Sequence, residues 1–281
     1  MKILPPHRHK ITSVGIAALA IASLLGIVSG SAEGQVPAQA APPPNTAVTV
    51  PVYHNPWGIY PTYQADDDTG FVPIFDGKTL QGWEGDTNFW RAEKGEIIGE
   101  STPQKVVKLN NFLIWRGGTV RDFELKADFK LGGTNSGIQY RSVEAPEIGK
   151  WVMKGYQADM DFANDYTGNV HEERGRGTGA GHVVLAPRGY LTRVTDGPHY
   201  KVLAQIGDPI LLRGVVNVGG WNSYHIIARG PVMIQIINGQ VMAITIDEDP
   251  KHFVPEGLVG LQMHSGPPFK VEFRNIRYRK L

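Results

Sequence analysis

Residues 122–131 read DFELKADFKL, with Phe123, Leu125, Ala127, Phe129 and Leu131 alternating against Asp122, Glu124, Lys126, Asp128 and Lys130. A period of two over ten residues puts every apolar side chain on one face of an extended strand, whereas a helix would scatter them around its axis. The stretch is therefore a strand with one wet face. The same grammar spreads outward. Residues 232–237 (VMIQII) and 240–246 (QVMAITI) flank Asn238-Gly239, the dipeptide that best tolerates the positive φ angles of a type I′ turn, and so form a hairpin. Residues 269–278 (FKVEFRNIRY) alternate again. From Phe71 onward short β-like segments are punctuated by Gly, Pro and Asn, with no sustained 3.6-residue apolar period. About a dozen such strands imply an all-β sandwich, one of whose sheets can be concave.

The 281 residues carry a formal net charge of +1 with the signs interspersed, which gives no electrostatic case for nucleic acid or a polybasic membrane contact. Residues 1–32 read as an export signal: Lys2, Arg8 and Lys10 precede an apolar run from Ile11 to Val28, and no acidic residue comes before Glu33. Cleavage is expected after Ala32 or Ala40, and retention of the run as a membrane anchor is the alternative. The expected location is periplasmic or extracellular. Residues 33–66 form the next segment, with seven prolines between Pro37 and Pro61, and are expected to be a disordered tether. Residues 67–281 are the folded domain. The triple acid Asp66-Asp67-Asp68 lacks the spaced ligands of a calcium loop and reads as a turn or solvated linker end. With no cysteine, neither a disulfide framework nor a lipid-modified cysteine is available.

Three segments have chemically specific polar faces. Asn135, Gly137, Gln139 and Arg141 share one in NSGIQYR; Gln157, Asp159 and Asp161 share one in KGYQADMDF; Gln262 and His264 share one in GLVGLQMH. Ile138, Tyr140, Leu261 and Met263 between them are expected to fill the core. A solvated face is the plain reading of each strand alone. Amides, carboxylates, one Arg and one His, in place of the usual Lys, Glu and Thr, point jointly to a ligand groove. Residues 166–177 (YTGNVHEERGRG) concentrate His171, Glu172, Glu173, Arg174 and Arg176 between glycines, and read either as a solvated loop or as a lid over a polar ligand. Among Trp83, Trp90, Trp151 and Trp221 none is singled out for sugar stacking over the core. There is no serine nucleophile elbow, HExxH or P-loop. Gln157 also stands where a retaining glycosidase on such a sandwich would carry its leading carboxylate, which argues against a double-carboxylate mechanism.

In order along the chain, FVPIFDGKTLQGWEG, FWRAEKGEIIGE, DFELKADFKLGGTNSGIQYR, GYQADMDF, YTGNVHEERGRG, GGWNSYHIIARG, INGQVMAI and GLVGLQMHSGPPFKVEFRNIRYRKL resemble the landmarks of the 3-keto-disaccharide hydrolase domain family over Phe71 to Leu281. The resemblance implies a concanavalin-like jelly-roll β-sandwich with a concave ligand-binding sheet, and an enzyme that cleaves 3-keto-glycosides. Family members commonly read Gly-Tyr-Glu-x-Gln where this chain has Gly155-Tyr156-Gln157-Ala158-Asp159, so carboxylate and amide have exchanged places on one face.

A ketone at C3 acidifies the hydrogen on C2. Its removal expels the C1 substituent by elimination, and water then adds back. The route needs a base, a stabiliser of the enediolate and an acid for the leaving oxygen. His264 is the expected base, because imidazole titrates near neutral pH. Arg141 is the expected enediolate stabiliser, and Asp159, Asp161, Glu272 or Glu172 the acid or ligands for a possible divalent metal. Asn135, Gln139, Gln157, Glu172, Arg174 and Gln262 are expected to bind substrate. The alternative is a non-catalytic carbohydrate-binding module on the same fold.

Overall fold

The computed structural model describes residues 68–176 and 182–281; the expected export signal and tether lie outside these. The strands run in chain order β1 (Val72–Pro73), β2 (Trp83–Glu84), β3 (Trp90–Glu93), β4 (Glu96–Glu100), β5 (Asn111–Trp115) and β6 (Phe123–Leu131). Next come β7 (Asn135–Glu144), β8 (Met153–Asp161), β9 (Val170–Glu173), β10 (His182–Ala186), β11 (Tyr190–Asp196) and β12 (His199–Gln205). After the short helix α1 (Pro209–Arg213) follow β13 (Asn222–Arg229), β14 (Val232–Ile237), β15 (Gln240–Asp247), β16 (Leu258–Met263) and β17 (Lys270–Lys280). They make two sheets. The larger has the order β12-β11-β15-β14-β13-β6-β17-β4-β3 with β1 added on β17, and the smaller β10-β9-β8-β7-β16-β5-β2. The protein is an all-β jelly-roll sandwich. Among the described residues no helix is long and apolar enough to cross a membrane.

The alternating residues of β6 point where their pattern dictates: Phe123, Leu125, Ala127 and Phe129 are buried against Tyr224 and Ile226 of β13 and Phe273 of β17. From the smaller sheet Ile138, Tyr140, Leu261 and Met263 fill the same core, as expected, with Tyr156, Ala158 and Met160 beside them. Burying each of the Phe, Leu, Ile and Met side chains among them contributes about 1.5–3 kcal/mol. The β14–β15 turn has positive φ at both Asn238 (50°) and Gly239 (79°), the type I′ geometry expected from the dipeptide.

The polar face of β6 is drier than its pattern suggests. Lys126 is buried, with its ammonium 2.9 Å from the Asp68 carboxylate and 4.8 Å from the centre of the Phe71 ring. Asp68 opens a turn in which the Phe71 amide donates to the Asp68 carbonyl at 3.1 Å, as the turn reading of this acidic stretch expects, and its exposed carboxylate is held by Lys126 and Arg277.

Candidate functional site

Antiparallel register builds one polar face on the side of the smaller sheet turned away from the core. Asn135 pairs with Asp161, Gly137 with Asp159 and Gln139 with Gln157 across β7 and β8, and Gln157 pairs with His171 across β8 and β9. On the other flank β16 pairs Leu261 with Ile138, which sets Gln262 beside Gly137. A side chain at Gly137 would have no room: a Cβ there would lie 2.6 Å from the Gln157 side chain. Glycine therefore lets Gln157 reach across β7, where its Oε1 accepts from Gln262 Nε2 at 3.0 Å.

Two carboxylates anchor this face. Asp159 Oδ1 accepts from Asn135 (3.3 Å) and Gln157 (3.1 Å), and its Oδ2 lies 3.3 Å from His171 Nδ1. Glu173, two residues beyond His171 on the same face, accepts from Asn110 Nδ2 at 3.0 Å and from Gln262 Nε2. Arg174 Nε is 3.4 Å from Glu173 Oε1. Burial pushes the Glu173 carboxyl above the usual carboxylate range, against the lowering effect of Asn110 and the nearby cations. Asn110 Oδ1 also accepts from the Ser265 amide (2.8 Å), and the Ser265 carbonyl lies 2.6 Å from His264 Nδ1. A carbonyl only accepts, so the neutral His264 ring holds its proton on Nδ1. Gln139, Gln157, Asp159, Glu173 and Gln262 are almost wholly buried; Asn135 and His264 keep partial exposure and mark the open margin, and His171 is partly exposed with both ring nitrogens buried. Gln139 is fully buried, and neither of its amide atoms makes a hydrogen bond within the described residues.

The structure gathers Asn135, Gln139, Gln157, Asp159, Gln262 and Arg174, with His264 next in chain after the outermost residue of β16. Four other expected site residues are placed differently. Arg141 leaves the face because β7 bulges between Tyr140 and Val143, with Arg141 at a φ of 46°. Its buried guanidinium donates to the carbonyls of Arg121 (2.7 Å) and Gly230 (2.8 Å) and to Asp122 (3.2 Å), so it fastens strand ends and faces no groove. Glu272 belongs to the other sheet, on β17, between Lys130 (3.2 Å) and Lys270 (2.6 Å). Asp161 starts on the face, but its carboxylate is consumed by the following turn, accepting from the backbone amides of Asp165, Tyr166 and Thr167.

Glu172 points the opposite way from its neighbours, into the sandwich. There Arg176 donates to it at 2.6 Å and to Asp247, and Tyr156 Oη donates to Asp247 Oδ2 at 2.6 Å. Residues 170–173 are strand, not the loop that a charged cluster between glycines suggests; the period of two in Val-His-Glu-Glu separates Glu172 from His171 and Glu173. Among the described residues no group of three or more His, Asp or Glu side chains is arranged to hold a metal ion.

Solved structures of low identity align with the domain. A candidate glycosyl hydrolase from Parabacteroides distasonis aligns at 20% identity with a TM-score of 0.49, covering 75% of this chain and 99% of that one. A carbohydrate-binding module from Bacillus subtilis aligns at 16% identity and 0.46, covering 71% and 96%. A β-glucanase from Bacillus licheniformis aligns at 11% identity and 0.40, covering 77% and 95%. No curated protein matches the chain. The family of the 3-keto-alpha-glucoside-1,2-lyase-like domain matches residues 70–279, and the chain belongs to that family.

Proposed function

We propose that the chain cleaves 3-keto-glycosides on the outer face of the smaller sheet, by proton abstraction and elimination followed by hydration. The observation that carries this reading is the pairing, on one strand, of an imidazole backed by a carboxylate (His171 and Asp159) with a buried carboxyl held toward its protonated form (Glu173). A candidate base and a candidate acid fixed side by side on one face are what proton abstraction and protonation of a leaving group at one site require.

In this scheme His171 takes the C2 proton, and Asp159 stabilises the imidazolium that forms. The C–H electron pair enters the enediolate spanning C2 and C3, next to the Arg174 guanidinium. Collapse of the enediolate breaks the bond from C1 to the leaving oxygen, which receives the Glu173 proton. Water adds at C1 and a proton returns to C2, so that the sum is hydrolysis. Gln157 and Gln262, locked to each other beneath the face, hold Asp159 and Glu173 in position for this chemistry. His264 orients the substrate from the open margin.

His171→Ala is expected to lower kcat about a hundredfold to ten-thousandfold with the fold intact, and His264→Ala to act mainly on KM. The check is steady-state kinetics on a 3-keto-glycoside with thermal melting of each variant, in metal-supplemented and in chelated buffer. The reverse pattern would make His264 the base.

We also infer that the chain acts outside the cytoplasm, from the basic start and apolar run of residues 1–32. The mass of the mature protein purified from its own cells checks this, with a start at residue 33 or 41 expected.

A further inference from the structure

Asn110, the residue before β5, is 3% exposed and commits both ends of its amide to distant segments of the chain. Its Nδ2 donates to Glu173 Oε1 at 3.0 Å, and its Oδ1 accepts from the Ser265 amide at 2.8 Å. Three strands, β8, β7 and β16, lie between β9 and β5 in the sheet, so the first bond crosses the face instead of joining neighbours. The second extends the β5–β16 ladder: Asn111 pairs with Met263, which sets Asn110 beside the turn that follows β16. The Gly266 amide also donates to the Val107 carbonyl at 3.2 Å, so that turn is fastened to the 107–110 stretch at two points.

From the other side Glu173 Oε2 accepts from Gln262 Nε2, which also donates to Gln157 Oε1 at 3.0 Å. The Glu173 carboxyl therefore receives one amide donor on each oxygen. Two donors on opposite oxygens fix the rotation of the carboxyl plane, a torsion that is otherwise broad in glutamate. Asn110 and Gln262 are both buried, so neither amide turns out to bulk water. The chain of bonds runs on from Asn110 to the open margin, because the Ser265 carbonyl accepts from His264 Nδ1 at 2.6 Å.

We infer that Asn110 is a positioning residue for the cleavage proposed above, holding the Glu173 carboxyl in the orientation from which its proton reaches the leaving oxygen. The role rests on that reading of the face, and Asn110 acts through Glu173, not on the sugar. An amide suits the task, since it donates to the carboxyl from one end and accepts a backbone N–H at the other.

The test is a double-mutant cycle on the full chain, with kcat and KM on a 3-keto-glycoside and thermal melting of every variant. Asn110→Ala should lower kcat about a hundredfold, the effect of a group displaced by about an ångström, with KM little changed. In the Glu173→Gln background the same replacement should cost almost nothing more, because the group it positions no longer carries the proton. A residue that matters only for the packing of the turn predicts losses that add in the double variant; that result, or parent-like kcat in Asn110→Ala, overturns the positioning role and leaves the reading of the face standing. A parent that releases nothing from the 3-keto-glycoside overturns the reading itself and the role with it. If Asn110→Ala fails to fold, the cycle is run with Asn110→Ser, whose hydroxyl keeps a polar group in the buried position but is too short to replace the amide at Glu173, and the same two outcomes decide.

Discussion

Glu173→Gln is expected to cost about a hundredfold to ten-thousandfold in kcat on a 3-keto-glycoside, the usual worth of a positioned proton donor, while the protein stays folded. The replacement keeps the shape of the side chain and removes the proton that the leaving oxygen needs. It also changes how stability depends on pH, and the sign follows from the burial of this carboxyl. Burial raises the folded-state pKa above that of the unfolded chain. The protonated group therefore favours the folded state at low pH, and that contribution is lost as pH rises from about 4.5 through the raised value. The variant lacks this loss, so its stability relative to the parent should improve across that window. Kinetics and urea melts on the two proteins, from acid to neutral pH, check both halves. A large fall in stability with little effect on rate would make Glu173 a structural carboxylate.

The second large effect is expected at the opposite face of the same strand. Arg176 is fully buried, bonded to Glu172 and Asp247, while Asp249, 3.7 Å away, is bonded to His252. Arg176→Met removes the cation and leaves buried carboxylates uncompensated, a change that costs about 3–5 kcal/mol in comparable networks. Burial already raises the Glu172 carboxyl above its usual range, against the pull of Arg176, and loss of the guanidinium raises it further. A raised folded-state pKa stabilises at low pH and is lost as pH climbs, so the destabilisation should be larger at pH 8 than at pH 5. Urea melts at the two pH values measure it. An equal loss at both would mean that Arg176 matters for its packing and not for its charge.

The contrast between these neighbours shows what was legible in the sequence. Alternation gave β6 to within a residue, the β14–β15 turn to its φ angles, and the shared face of Gln157 and Asp159. It failed at Arg141, because a bulge adds one residue and reverses the phase, and nothing in the local pattern marks where a bulge falls. It failed at Glu272 for a different reason: a strand displays which residues share a face but not which sheet it joins, and β17 joins β6 and β4 in the larger one. His171 and Glu173 lie in a charged stretch between glycines whose composition is that of a loop, and only the period of two within Val170–Glu173 assigns their shared face. The exchange of carboxylate and amide against the family pattern has a simple consequence in three dimensions. Gln157 Nε2 donates to Asp159 Oδ1, so in this chain the exchanged amide and carboxylate form one hydrogen-bonded pair.

The proposed substrate of this face is a sugar already oxidised at C3, cleaved through loss of the C2 proton. The most direct measurement offers the protein one glycoside in two forms, 3-keto and unoxidised, in deuterated water, and follows release of the leaving group together with deuterium at C2 of the sugar product. Release from the 3-keto form alone, with deuterium incorporated at C2, is the predicted result. Equal cleavage of both forms, or binding of both with neither release nor exchange, would contradict it.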